Sequence, residues 1–514
     1  MTGTAVARRE LALAALGLTL LGALVFGPQV VNGGYYWDDW QNAASVEFAP
    51  QPGLFGALEQ ATERPVFGYR PVLTTMLVLE FEAFGHNKQV MLAIAVLFAV
   101  STAWALYLLL RTLGLRPRDA LVPAALLLVF PWTDSTRMWN TASFDTLAVT
   151  FYLLGLVIAI RALRAPPGRR RGLLTAGSLA LYLAAAWTYE IVAMAVLASV
   201  AVYLLVVPRR DALRRLALDA AVVGLALGLV AAKTTRTPQS PGGQLDHAVT
   251  IAEQAFGVLA RALVPLADPP GIVGALLLAA IVGAALASRR RELRPLLLAG
   301  ALGALFVAAG WALFIPAASY YEPLAPGTTN RMNVLAAAGF AVLVPVLVLL
   351  AAELVWPRRA TVLAAALLAL IGAGYVAQVI SDQDGWRRSD EVQDEVLSAV
   401  HHSLPRPPAG ATIYTFGAPS FVAPGVPAFS LSFDLRAAVR LEYGDASLLA
   451  YPIRGRDVIR CGSDSLQPEG GTYSAVHGAA YGEAWFVNVP RRAAVRIDGA
   501  APCRSWARVL GAAS

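Results

Sequence analysis

Apolar residues in this chain come in long unbroken runs, not in alternation. The stretches 11–31, 90–110 and 362–380 approach or exceed the ~20 residues that carry an α-helix across a bilayer. Read run by run, the pattern predicts an α-helical polytopic membrane protein with about eleven spans. They fall near 11–31, 88–110, 119–131, 144–161, 172–187, 190–207, 217–232, 271–288, 296–316, 334–356 and 360–380. The third is short, and the pair on either side of "WTYE" reads as one broken helix or two spans. No ten-residue alternating pattern occurs, which argues against a membrane β-barrel.

The polar segments between the runs are unequal. Residues 32–87 form a long first external loop whose mixed "EFAPQPGLFGALEQATERPVFGYRPVLTTMLVLEFEAFG" predicts short amphipathic helices on the membrane surface. A second long external loop, "KTTRTPQSPGGQLDHAVTIAEQAFGVLARALVPLADPP", follows the seventh run. Beyond 380 hydropathy falls and stays low. An acidic helical piece, "SDQDGWRRSDEVQDEVLSAVHHSL", leads into turn-rich sequence with β-leaning runs such as "ATIYTFG", "AWFVNV" and "AAVRIDG". The expected organisation is a transmembrane domain over 1–380 and a small C-terminal α+β extracytoplasmic domain over 381–514.

Charge orients this picture. Of 514 residues 57% are hydrophobic and only 15% charged, with a net charge of +7. That balance does not point to nucleic acid, because the basic residues sit in small clusters between apolar runs and not on one face. The clusters are Arg8/Arg9, Arg111/Arg116/Arg118, Arg161/Arg164/Arg169/Arg170/Arg171, Arg209/Arg210/Arg214/Arg215, Arg289/Arg290/Arg291/Arg294 and Arg358/Arg359. They occupy alternate loops, as cytoplasmic loops do under the positive-inside rule. The intervening loops hold few cations: Arg64, Arg70, Lys88, Arg137, Lys233, Arg236, Arg261 and Arg331. The chain is therefore expected in the plasma membrane, N-terminus cytoplasmic and C-terminal domain outside, with its first run retained as an anchor. Cys461 and Cys503 both fall outside on this topology, so a disulfide is permitted. The histidines show no metal-ligand spacing.

The stretch "YYWDDWQN" opens the long first loop. On one reading Tyr35, Tyr36, Trp37 and Trp40 anchor the first span at the interface while Asp38 and Asp39 face water. On another, the adjacent carboxylates take a proton from a hydroxyl nucleophile or hold a divalent cation. Further along come "FGYRPVLTTMLVLEFEAFGHN", "LLLVFPWTDSTRMWNTASFDTLAVTFYLLGLVIAIRA" and "LYLAAAWTYEIVAMAVLASV". This succession, over roughly residues 10–350, resembles the GT-C superfamily of polytopic glycosyltransferases, to which protein O-mannosyltransferases and lipid-A aminoarabinose transferases belong.

The resemblance implies inverting transfer of a sugar from a polyprenyl-phosphate donor to an extracytoplasmic acceptor, a cell-wall polysaccharide, glycolipid or protein. It implies that the acidic residue just after the first span, Asp38 first and Asp39 second, is the catalytic base or orients the acceptor. Arg331, in "APGTTNRMNVLAAAGF", matches an arginine that binds the lipid phosphate from a late external loop. A planar guanidinium suits phosphate oxygens. Arg70, in "GYRP", binds phosphate or braces its loop, and Lys233 and Arg236 are further candidate cations. Asp145 and Glu190 match acidic positions in relatives, and carboxylates near or within spans are functional candidates by default. Asp134 is expected to line the same cavity and Arg137 to lie at the surface. No cofactor is required, though Mg or Mn at the aspartate pair stays open. "PWTDSTRMWN" lacks a histidine common after the proline in relatives, and neither the second long loop nor the C-terminal domain has a counterpart, which leaves the acceptor open. The alternative is a transporter or lipid flippase; it predicts paired broken helices and internal pseudo-symmetry, of which only the "WTYE" interruption is present.

Overall fold

The computed structural model describes residues 8–234, 239–288, 290–455, 457–470 and 478–512. The protein is a multi-pass, mostly helical membrane protein with a small β-containing C-terminal segment. Each of the apolar runs read from the sequence falls on helical structure, from Arg8–Asn32 through Asn140–Arg164 and Val334–Val355 to Ala360–Ser403. Among the described residues seven helices are long and apolar enough to cross a bilayer, and the apolar helical stretches Glu190–Leu204 and Gly271–Ala287 are shorter. The second long loop differs from expectation: it folds largely into one helix, Pro241–Leu263. Ser240 caps it, its hydroxyl accepting from the Gly243 amide at 3.2 Å, and Pro241 sits where a missing N–H does no harm. His247, Ile251 and Val258 recur on its buried face.

The chain divides into two compact units. The first comprises residues 1–31, 64–75 and 92–383. It is built from helical hairpins, and small residues bring their backbones together. A Cβ built on Gly339 would lie 2.6 Å from the Gly303 carbonyl oxygen, and one on Gly310 would lie 2.6 Å from the Ala336 amide nitrogen. The helices Arg294–Ala312 and Val334–Val355 therefore touch almost backbone to backbone, as close-packed membrane helices do. Between them the chain tightens into the 3-10 turn Gly327–Asn333, which carries Arg331. Asn333 pins that turn. It accepts from Trp311 Nε1 at 2.9 Å and donates to the Trp132 and Pro323 carbonyls at 2.9 and 2.8 Å.

The second unit comprises residues 32–63, 76–91 and 384–514. Its four-stranded sheet runs in the order Leu449–Ile453, Thr412–Phe416, Ala484–Asn488, Ala493–Ile497. The first three strands are parallel and the last is antiparallel. Two parallel neighbours need a crossover, supplied by the helix Ser432–Tyr443. Gly444 ends this helix at φ 63°, a left-handed conformation that costs glycine little. That crossover helix packs against the helix Asp38–Glu47 from the first loop. Tyr414, Phe416, Tyr451 and Phe486 fill the core on one face of the sheet. A disulfide joins Cys461 to Cys503, with Cα atoms 5.9 Å apart, tying a second small sheet to the helix Ala500–Val509. Closing that loop of 42 residues restricts the unfolded chain by an amount worth about 4 kcal/mol.

Candidate functional site

In the helical unit, four sequence segments bring charge together. Arg70 lies between the short helix Pro65–Gly68 and the helix Pro71–Phe84. Its guanidinium grips Glu190 with both prongs, Nε to Oε2 at 2.8 Å and Nη2 to Oε1 at 2.6 Å. Glu190 is presented at the break in "WTYE", where the helix Arg169–Thr188 stops and Tyr189 turns extended. The Arg70 guanidinium also lies over the Tyr189 ring, 4.1 Å from its centroid. Burial alone pulls this guanidinium down, but the Glu190 carboxylate outweighs it and holds Arg70 above its ordinary pKa.

Arg331 stands beside it. Its guanidinium is 5.1 Å from the Trp139 ring centroid and hydrogen-bonds the Tyr321 hydroxyl. Burial raises the Tyr321 phenol, yet the Arg331 charge and hydrogen bonds from Tyr320 and Arg331 bring it below its usual value. Asp145, in the first turns of Asn140–Arg164, is buried and within electrostatic reach of Arg331, Arg70 and Glu190. Its Oδ2 is buried and has no hydrogen-bond partner. One residue before Arg331, Asn330 donates to Asp134 Oδ1 at 2.6 Å and accepts from the Ser135 hydroxyl at 2.6 Å. Arg70, Asp145, Glu190 and Arg331 thus share one cluster, with Asp134 beside it. Among the described residues no hydrogen bond or ion pair joins Lys233 to that cluster; it is exposed at the end of Arg209–Lys233. Arg236 lies outside the described residues.

Arg137 departs from its expected place. It is buried, 3% exposed, and donates to the main-chain carbonyls of Thr133 and Leu127 at 2.7 and 2.8 Å. The reason is local: the turn Ser135–Met138 aims it back at the Thr133 carbonyl one turn earlier and at the Leu127 carbonyl near the end of Pro117–Leu128. Arg137 is a clamp for a helix end.

In the second unit the two aspartates separate. Consecutive residues on a helix point about 100° apart, so Asp38 and Asp39 do not share a direction. Asp39 is fully buried and its Oδ2 accepts from the Tyr36 amide at 3.1 Å, closing the turn into the helix Asp38–Glu47. Trp37 in that turn has φ 49°, a strained value for a bulky residue, held by its Nε1 donating to the Ser430 hydroxyl at 2.6 Å. Asp38 is half-buried and makes no hydrogen bond among the described residues. Its charge reaches Asp434. Such divergent carboxylates do not make a two-toothed cation seat, and no trio of His, Cys, Asp or Glu able to hold a metal occurs among the described residues.

Tyr189, Tyr321 and Trp139, which frame the arginines, carry no signal of their own in the sequence. An aromatic residue near a span end is ordinarily an interface anchor.

No family model matches the chain, and no curated protein matches it. Among solved structures it is similar to ArnT from Cupriavidus metallidurans bound to undecaprenyl phosphate, at 15% identity and TM-score 0.45, covering 86% of each chain. It is also similar to the apo state of the same protein, at 15% identity and TM-score 0.40, covering 85% of each.

Proposed function

We propose that this protein transfers a sugar from a polyprenyl-phosphate donor to an acceptor hydroxyl outside the membrane, with inversion. The observation that carries this reading is the convergence of Arg70, Asp145, Glu190 and Arg331 in a helical membrane unit. Ionisable groups are expensive there and persist where they handle charged substrate.

The roles follow from the chemistry. The leaving group is a lipid phosphate, on which negative charge grows as the glycosidic bond breaks. Arg331, half-exposed and backed by a tryptophan face, is the cation we assign to meet it; Arg70 is bound with both prongs to Glu190. Arg70 and Glu190 set the shape and field around Arg331. Asp38, open where Asp39 is closed, takes the proton from the acceptor hydroxyl as that oxygen attacks the anomeric carbon.

The test uses full-length protein in detergent or membranes, radiolabelled polyprenyl-phosphate sugars and a panel of glycan, lipid and protein acceptors. Label should reach an acceptor in wild type and not in Asp38→Asn. Transfer by Asp38→Asn at the wild-type rate would remove Asp38 from catalysis. Movement of labelled lipid across the membrane without transfer would instead support the transporter reading.

A further inference from the structure

The helix Pro241–Leu263, from the second long loop, carries none of the charged cluster around Arg331, yet it holds the segment that leads there. Residues 313–326 connect the helix Arg294–Ala312 to the turn Gly327–Asn333 and form neither helix nor strand. Their own backbone bonds close single turns, such as Ala317 to Phe314 at 2.9 Å and Tyr321 to Ala318 at 3.1 Å. A segment without a ladder takes its shape from the groups that satisfy it from outside.

Three residues on one face of the helix supply those groups: His247, Gln254 and Gly257. His247 is 3% exposed, and its Nε2 lies 2.8 Å from the Tyr321 carbonyl oxygen. A carbonyl only accepts, so Nε2 carries the hydrogen and donates it. Nδ1 faces the Ile315 carbonyl at 3.2 Å and the Gln239 side-chain nitrogen at 3.4 Å, and Gln239 in turn donates to the Ala317 carbonyl. Gln254 uses both ends of its amide. Its Nε2 donates to Glu322 Oε2 at 2.8 Å, and its Oε1 accepts from the Leu324 amide at 2.9 Å. At Gly257 a Cβ would lie 2.7 Å from Leu324 Cδ1, so the missing side chain makes room for that leucine.

Tyr321 links this helix to the candidate site. His247 holds its carbonyl, while its hydroxyl hydrogen-bonds Arg331. Two residues on, the Pro323 carbonyl accepts from Asn333 in the turn that carries Arg331. The segment is thus gripped by the helix on one side and by the Arg331 turn on the other. A buried ring nitrogen and a two-ended amide fix direction as well as depth, which apolar packing alone does not. A long guanidinium side chain keeps one place only where the groups against it are themselves fixed.

We infer that His247 and Gln254 are positioning residues for the donor phosphate: they set the place of Tyr321 and, through it, of the Arg331 guanidinium. The inference rests on the assignment of Arg331 to that phosphate.

The experiment compares full-length wild type, His247→Ala, His247→Gln and Gln254→Leu in detergent by two readouts. These are equilibrium binding of undecaprenyl phosphate and, without ligand, hydrogen–deuterium exchange across residues 315–324. His247→Ala and Gln254→Leu should each raise Kd about tenfold at unchanged stoichiometry, and speed exchange in that segment. His247→Gln, whose amide N–H still reaches the Tyr321 carbonyl, should recover most of both. In an Arg331→Ala background the same substitutions should cost little further affinity, because they act through Arg331. Lost stoichiometry at unchanged Kd would mark a merely structural role and overturn the inference, as would an undiminished cost in the Arg331→Ala background. Wild-type binding with an unchanged Kd in His247→Ala overturns this inference alone. No binding by wild type overturns the assignment of Arg331 and this inference with it. Should His247→Ala fail to fold, Gln254→Leu at its half-buried position gives the same readouts.

Discussion

Buried carboxylates are handled differently in the two units. In the second unit their partners are close in sequence. Asp39 accepts from Tyr36, and Asp434 accepts from the amides of Ser430, Leu431 and Leu435 at the start of the crossover helix. At the candidate site of the helical unit the partners are far away: Glu190 meets Arg70 across 120 residues, Asp134 meets Asn330 across 196, and Asp145 has an oxygen with no partner. Local amide partners make turns and caps. Side-chain partners from distant segments cost more to assemble, and they mark the cluster as built for something beyond folding.

If the contrast is right, substitutions should divide the same way. Asp38, the open carboxylate of the second unit, is the exception to which we assign chemistry, and Asp38→Asn should lower transfer by about 10²–10⁴-fold while leaving the melting temperature unchanged. Arg331→Ala should lower transfer by about 10²–10³-fold, the usual loss when one donor to a developing anion is removed. Both are read from initial rates at saturating donor.

Glu190→Gln strands the Arg70 guanidinium and should destabilise the protein by about 3 kcal/mol, with a smaller loss in the double variant Arg70→Gln/Glu190→Gln. A thermal double-mutant cycle without coupling would erase the difference between the units. Smaller and local, Asp39→Ala should cost about 1 kcal/mol, the scale of a lost helix-start bond, and reduce transfer only in proportion to folded protein.

Asp434 supplies a pH signature. Burial pushes its carboxyl up to about 7, against bonds from the Ser430, Leu435 and Leu431 amides that pull it down. In the unfolded chain an aspartate titrates near ~3.9. The folded state therefore holds an extra proton between those values, so this group's stabilisation is complete below about pH 4 and is lost as pH rises through about 7. Melting temperature should fall across that window in wild type and fall less in Asp434→Asn.

Much of the fold was legible because its signals are local. Apolar run length marked each of the seven helices that, among the described residues, are long and apolar enough to cross a bilayer, and β-leaning composition marked three of the four strands of the main sheet. The helix Pro241–Leu263 was obscured by the Thr/Pro/Gly sequence at its start, which reads as loop although Ser240 and Pro241 are start signals. At the site, isolated charges between apolar runs pointed to Arg70, Asp145, Glu190 and Arg331 as residues of interest, but not to their pairing. That Arg70 spends its charge on Glu190, that Tyr321 and Trp139 hold Arg331, and that Arg137 turns inward are tertiary facts. So is the separation of Asp38 from Asp39, which depends on where the helix begins and which carboxylate its preceding turn captures.

The most direct measurement is equilibrium binding of undecaprenyl phosphate, without sugar, to wild type, Arg331→Ala and Asp38→Asn in detergent. Wild type and Asp38→Asn should bind alike, and Arg331→Ala at least tenfold more weakly, which separates the residue that holds phosphate from the one that moves the proton. Equal binding by Arg331→Ala and wild type would contradict the account at its centre.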